Sequence, residues 1–292
     1  MENFLTFIAV SLRIISNPFG NVFQKKLISA GRHPLFINFI SYALLIVPCA
    51  WIAAPVSLGQ LPVQFWVNSL LAGVFGGIGN GLLIKALEKG DLSVLGPINS
   101  YKAVIGVLAA LILLGEVPNI WGLTGIALII WGSYFVLNTT EDKFSWKLLK
   151  RSEIRYRIGA MVLTAVEAVF VKNMVLSSSI AVASLSWCVF GAVVSLSMTL
   201  IYRVNLYKEL QRRPSADLLL FALLLACVGV MLFTTIYTFD HMPVGYALSL
   251  FQLSTIGSVL LGRQFFQEKN IKKELLGAVI MVVGSVFIIL FK

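Results

Sequence analysis

Three ionisable residues stand in the middle of long apolar stretches: Arg13, Lys102 and Glu167. A charge at the centre of a hydrocarbon slab costs about 2.5–3.5 kcal/mol even on insertion scales, so each of the three needs a cavity, a partner or a bound ion. Two cations against one carboxylate leave a positive balance. That balance suits a solute carrying a carboxylate or phosphate, or a zwitterion, better than an organic cation. Lys102 lies about 16 Å of helix rise beyond Asp91, too deep to snorkel to a surface. Asn99 sits one turn earlier on the same face and Gly106 one turn later. Glu167 has two readings: a partner for a neighbouring cation, or the carrier of a coupling proton. The competing role is a fixed Lys102–Glu167 or Arg13–Glu167 pair that only sets helix packing.

Weaker polar candidates surround these three. Tyr246, Ser249 and Gln252 recur every three residues and make a polar stripe, suited either to a cavity wall or to a bond with another helix. Asn80 has the same two uses. Tyr101 and Trp187 can stack on a ligand or pack in a core. Gly73, Gly77 and Gly81 have the small-xxx-small spacing of close helix packing. Asn17-Pro18 predicts a kink with freed backbone carbonyls.

The elements that must hold these residues are membrane helices. The 292 residues are 58% hydrophobic and 12% charged, about half the charged share of a soluble domain, which leaves too little polar surface for a body in water. Apolar stretches of about 20 residues cross a bilayer core. Spans are predicted at 4–24, 35–54, 64–87, 93–114, 118–137, 157–175, 181–202, 216–238, 244–265 and 273–291. The first is read as a retained helix, because no basic start precedes it and Asn17-Pro18-Phe19 stands where a signal peptide would have a cleavage site. The fold class is therefore all-α, with about ten transmembrane helices and no soluble domain.

Sliding the sequence by 152 residues sets Val107, Leu108 and Glu116 on Val259, Leu260 and Glu268. It also sets Leu123, Gly125, Gly132, Ser133 and Phe135 on Leu275, Gly277, Gly284, Ser285 and Phe287, and Gly77 on Gly229. Two five-helix halves follow, 1–138 and 157–292, joined by a basic connection at 139–156. An odd number of spans per half makes the repeat inverted, the plan that holds a solute near the midplane of many secondary transporters.

Nineteen Lys and Arg residues fall in the connections after spans 1, 3, 5, 7 and 9, against Lys172 and Lys292 on the opposite side. Basic connections stay inside, so both termini are predicted outside, in a multi-pass protein of the cell (inner) membrane. The net charge of +10 is spread between spans, which suits anionic lipid and not nucleic acid.

Gly90-Asp91-Leu92-Ser93-Val94-Leu95-Gly96-Pro97, then Leu114-Gly115-Glu116 and Gly125-Ile126-Ala127-Leu128-Ile129-Ile130-Trp131-Gly132, resemble the EamA branch of the drug/metabolite transporter superfamily. The second half keeps Glu268 and the Gly277/Gly284 pair but opens with Pro243-Val244-Gly245-Tyr246-Ala247. The resemblance implies a basket whose cavity is lined by helices 1–4 and 6–9, with 5 and 10 outside, where a homodimer contact would form. It also implies cytoplasmic termini, the reverse of the charge count.

The expected function is secondary transport of a small polar metabolite, anionic or zwitterionic (an amino acid or organic acid, for example), by alternating access and in the direction of export. The alternatives are proton-coupled export of cationic or lipophilic drugs, centred on Glu167, and a membrane sensor or scaffold without flux. Catalysis is poorly served: His33 and His241 are far apart, and Cys49, Cys188 and Cys227 lack metal spacing. There is no phosphate-binding Walker loop and no repeated selectivity filter, so no cofactor is expected.

Overall fold

The computed structural model describes residues 2–56, 58–90, 95, 101–137, 150–212, 214–266, 276–277, 279–284 and 287. Asn99, Glu268 and most of the connection at 139–156 lie outside them. The helices are α1 (Glu2–Ser29), α2 (Pro34–Ala53), α3 (Val63–Lys89), α4 (Lys102–Leu114), α5 (Ile120–Leu137), α6 (Ser152–Leu176), α7 (Ile180–Ile201), the short α8 (Leu206–Gln211), α9 (Pro214–His241), α10 (Val244–Phe251) and α11 (Ser254–Phe266), followed by helical residues at 276–277, 279–284 and 287. Every predicted span has a helical counterpart, and no strand occurs among the described residues.

Six of these segments are long and apolar enough to cross a membrane: α2, α3, α6, α7, α9 from Asp217, and α10 with α11 through Gly262. Helix α1 runs unbroken through Pro18 but carries Arg13, Asn17, Asn21 and Gln24, a polar content that makes sense only for a cavity wall. Outward faces carry the opposite chemistry. Trp51, Val63, Ile112 and Val117 are 84%, 78%, 77% and 79% exposed, as lipid-facing residues must be.

Two boundaries differ from expectation. Helix α6 begins at Ser152, not at 157, because charged residues are tolerated in a first turn and Glu153 there complements the helix dipole. Arg157, counted with the basic connections although it opens the predicted span, thereby lies in the second turn of α6. The ninth span is interrupted at Gln252–Leu253, between α10 and α11, where Gln252 N bonds Ser249 O and Thr255 N bonds Gln252 O in short three-residue turns.

The halves pack with reciprocal symmetry. The most extensive contacts join α3 to α6 and α1 to α9, in each case the first helix of one half on the third of the other. The glycines matched in the sequence meet in space. A Cβ on Gly132 would fall 2.6 Å from Gly277 O, and one on Gly284 would fall 2.6 Å from Gly125 O. The fifth helices of both halves thus cross backbone to backbone, about the axis that relates the halves. Helix α3 makes a second close crossing. Gly73 and Gly77 face Phe190 and Val194 of α7, with built Cβ distances of 2.4 and 2.8 Å.

At one face, where basic connections gather, Arg32 donates from Nε to Asp217 Oδ2 at 2.7 Å and from its Nη groups to the carbonyls of Glu209 and Arg212. His33 caps α2 by accepting from Leu35 N at 3.2 Å. Burial pushes its imidazole below the ordinary range, which keeps the accepting nitrogen unprotonated.

Gly132→Val and Gly284→Val should each lower stability by about 1–3 kcal/mol through overpacking, and the double variant should cost less than the sum because both strain one helix crossing. Gly59→Ala, in open space, is the neutral control. Thermal unfolding in detergent measures all four.

Candidate functional site

A cavity of about 160 Å³ lies inside the bundle. Among the described residues its walls come from α1, α2, α3, α4, α6, α7, α9 and α10, with none from α5 or from the helical residues after 275. Helical periodicity explains which side chains reach it. From α1 these are Arg13, Asn17, Gly20, Asn21 and Gln24, and from α6 they are Arg157, Ala160, Thr164, Glu167, Ala168 and Val171.

Arg13, Lys102 and Glu167 all line this cavity, as do Asn80 and Trp187. Arg13 donates from Nε to Thr235 Oγ1 at 2.7 Å and lies over the Phe251 ring, 4.9 Å from its centroid. Its Nη1 is buried without a hydrogen-bond partner. The Glu167 carboxylate accepts from Trp187 Nε1 at 2.5 Å. Room for it is made by Gly76, where a Cβ would stand 2.1 Å from Glu167 Oε1. Tyr42 stacks near Trp187 with centroids 4.4 Å apart, and its hydroxyl accepts from Asn80 Nδ2 at 2.8 Å. Its ring rests on the bare backbone of Gly191.

Among the described residues neither Lys102 nor Arg13 is within 4.0 Å of the Glu167 carboxylate, so neither forms a direct ion pair with it. Lys102 has Glu167, Arg13 and Arg157 as charged neighbours, and Glu167 has Lys102 and Arg13. The polar stripe on α10 is not a wall of the cavity. Ser249 Oγ donates to Gly245 O at 2.7 Å and Gln252 Nε2 to Leu248 O at 2.8 Å, both on their own helix. Tyr246 packs its ring on Gly122 and accepts from Asn119 N at 3.0 Å. Tyr101 is 37% exposed and away from the cavity. Asn99 lies outside the described residues.

Arg157 is the lining residue that the sequence reading assigned elsewhere. It is 6% exposed, and its Nε donates to Leu95 O at 2.8 Å. Its position on one stripe with Thr164 and Glu167 was the available signal.

The cavity is uneven along the membrane normal. Toward the basic face its lining includes Asn21, Gln24, Asn38 and Arg157 beside Leu83 and Ile84; toward the far face it is lined by Val171, Ile236, Phe239, Leu248 and Phe251. Above that apolar cap lies an ion pair. Gly115 takes a left-handed φ of 69° at the end of α4, which turns Glu116 back over the bundle. There Glu116 Oε1 meets Lys172 Nζ at 2.6 Å, and Oε2 accepts from Val244 N at 2.8 Å. Lys172 also donates to Met242 O at 3.0 Å. One latch thus ties α4, α6 and the α9–α10 link.

The chain is thus an inverted-repeat helical bundle with a charged cavity inside it and an ion pair toward one face. The EamA-like transporter family matches the chain twice, over residues 7–138 and 152–290, and the chain belongs to it. A solved crystal structure shares the fold with a TM-score of 0.72 at 16% identity, over 97% of this chain and 99% of that one. Comparison with curated proteins gave no match.

Glu116→Gln and Lys172→Gln should each loosen the far face. In a background without native cysteines, Phe239→Cys should then react with an impermeant maleimide at least several-fold faster than with the latch intact. Equal labelling rates would reduce the pair to a packing contact.

Proposed function

We propose that the protein carries a small anionic or zwitterionic metabolite across the cell membrane by alternating access, loading it from the basic, cytoplasmic face for export. The observation that carries this reading is the charge of the cavity. Arg13, Lys102 and Arg157 face it without a carboxylate in ion-pair contact among the described residues, and Glu167 is the one acidic side chain in its wall. In a medium of low polarity such a surplus is stabilised by an anion entering from water, and no comparable gain awaits a cation. The lopsided lining supports loading from the basic face, and the Glu116–Lys172 latch supports a far gate that opens later in the cycle.

Lys102 is assigned as the primary substrate contact because it has no hydrogen-bond partner among the described residues. Asn80 and Trp187 orient the solute beside it. Glu167, held by Trp187, is assigned the coupling proton. The fifth and tenth spans remain the proposed surface for a homodimer, and both termini are assigned to the outside by the distribution of basic residues.

A thermal-shift screen of purified protein against organic acids, amino acids, phosphorylated metabolites and cationic drugs tests the reading, since a ligand that binds the native state raises its unfolding temperature. Anionic or zwitterionic hits should appear in the native protein and vanish in Lys102→Ala, whose unliganded unfolding temperature should stay within a few degrees. Flux of the same hit in proteoliposomes should fall at least tenfold in that variant. A response confined to lipophilic cations would instead favour a drug exporter centred on Glu167, and binding without flux would favour a sensor. Glu167→Gln should flatten the pH dependence of flux; an unchanged profile would confine Glu167 to holding Trp187.

A further inference from the structure

The cavity has a second cationic end. Arg157 sits in the second turn of α6, ten residues before Glu167, and so about 15 Å nearer the basic face along the helix. Its burial is not explained by an ion pair. Among the described residues its single polar contact is the donation from Nε to the Leu95 carbonyl. That contact fixes one edge of the guanidinium and leaves the Nη edge to the cavity. Guanidinium presents paired N–H groups in a rigid fork suited to a carboxylate or phosphate, and the Leu95 bond preorients that fork. The other polar groups at this end are uncharged, Asn21, Gln24 and Asn38, and they stand beside apolar Leu83, Ile84 and Ala160. Asn38 is committed to Gly77 O and Ser195 Oγ at 3.1 and 2.8 Å, while Gln24 Oε1 is buried without a hydrogen-bond partner.

The deeper end holds Lys102, Arg13 and Glu167. There one carboxylate offsets one of two cations, which leaves one positive charge to be met. Arg157 leaves another at the basic-face end. Lys102 is the charged neighbour common to both groups.

We propose that Arg157 is a specificity-determining substrate contact, and that the transported solute carries two separate acidic groups, one taken between Lys102 and Arg13 and the other by Arg157. A solute with one acidic group leaves one end unmatched and binds more weakly. The inference rests on the anion reading above, and its test separates the two.

The experiment is isothermal titration of the full-length protein in detergent with succinate, butyrate, aspartate and inorganic phosphate. Succinate and butyrate share a four-carbon chain and differ by one acid. In the native protein succinate should bind at least tenfold more tightly than butyrate. Arg157→Gln should bring succinate to the butyrate level while butyrate stays within about twofold, and Arg157→Lys should recover part of the preference because it keeps a donor and a charge. Lys102→Ala should weaken both acids. Aspartate tighter than succinate adds an ammonium beside Glu167 to the same two-acid solute. Phosphate binding as tightly as succinate, with the same dependence on Arg157, would overturn the requirement for two separated groups. If the succinate-to-butyrate ratio is unchanged in Arg157→Gln, or both acids weaken alike, the inference falls while the anion reading stands. If the native protein binds organic cations and none of these anions, both fall.

Discussion

A surplus of positive charge inside the bundle, with Glu167 the one carboxylate in the described cavity wall, is the constraint around which the bundle is organised. Arg13, Lys102 and Arg157 can stay charged only where water or a solute reaches them, so the helices that carry them must line a cavity. That requirement explains why α1 and α6 hold so many polar residues while the outward faces of α2 and α4 hold almost none. It also explains the placement of small residues. Gly76 is bare because Glu167 needs the volume, and Gly191 is bare because the Tyr42 ring lies against it. Each glycine lets a polar or aromatic group sit where a side chain would otherwise have filled the wall.

The inverted repeat supplies two versions of each contact, and most of them match. Helix α1 meets α11 as α6 meets α4, and α1 meets α9 as α6 meets α3. One pair does not match. Helix α3 packs closely on α7, whereas its symmetry partner, α9 on α2, makes slight contact. The matched glycines register the difference. A Cβ on Gly77 would press on Val194 at 2.8 Å, while one on Gly229 would find only Leu45, at 3.4 Å. The second half thus has a small residue, and the room beside it, where the first half has a tight crossing. Under the proposed alternating-access cycle, exchange of these two arrangements would move the open side of the cavity from one face to the other.

The fold was legible because hydropathy and length constrain membrane spans strongly. The repeat was legible because glycines that touch backbone tolerate no substitute. The midplane charges Arg13, Lys102 and Glu167 stood out by contrast with their apolar neighbours. Arg157 did not, because it follows a polar run where hydropathy cannot tell a connection from a first helical turn. Tyr246, Ser249 and Gln252 failed as cavity residues for a different reason. Their spacing is right for a stripe, but Ser and Gln side chains can spend their hydrogen bonds on the carbonyl one turn back, and these do. The Glu116–Lys172 latch joins residues far apart in sequence, and Glu116 could be read only as part of a motif. Its geometry depends on the left-handed Gly115, which a sequence shows as a glycine and nothing more.

The latch and the cation site are ends of one short rod. Helix α10 has eight residues, about 12 Å of rise, and both of its ends are engaged. At its start Val244 N donates to Glu116 in the latch. In its middle Leu248 fills the space over Gly106 of α4, where a Cβ would fall 2.2 Å from Leu248 Cδ1. At its end Phe251 lies under the Arg13 guanidinium, and the chain then breaks before Ser254, whose hydroxyl accepts from Asn17 Nδ2 at 3.0 Å. The turns at Gln252–Leu253 separate α10 from α11. Under the proposed reading, an anion that drew Arg13 away from Phe251 would act on a helix whose other end carries the Glu116 contact of the far face. A solute bound at the midplane and a gate one helix-length away need no longer connection than that.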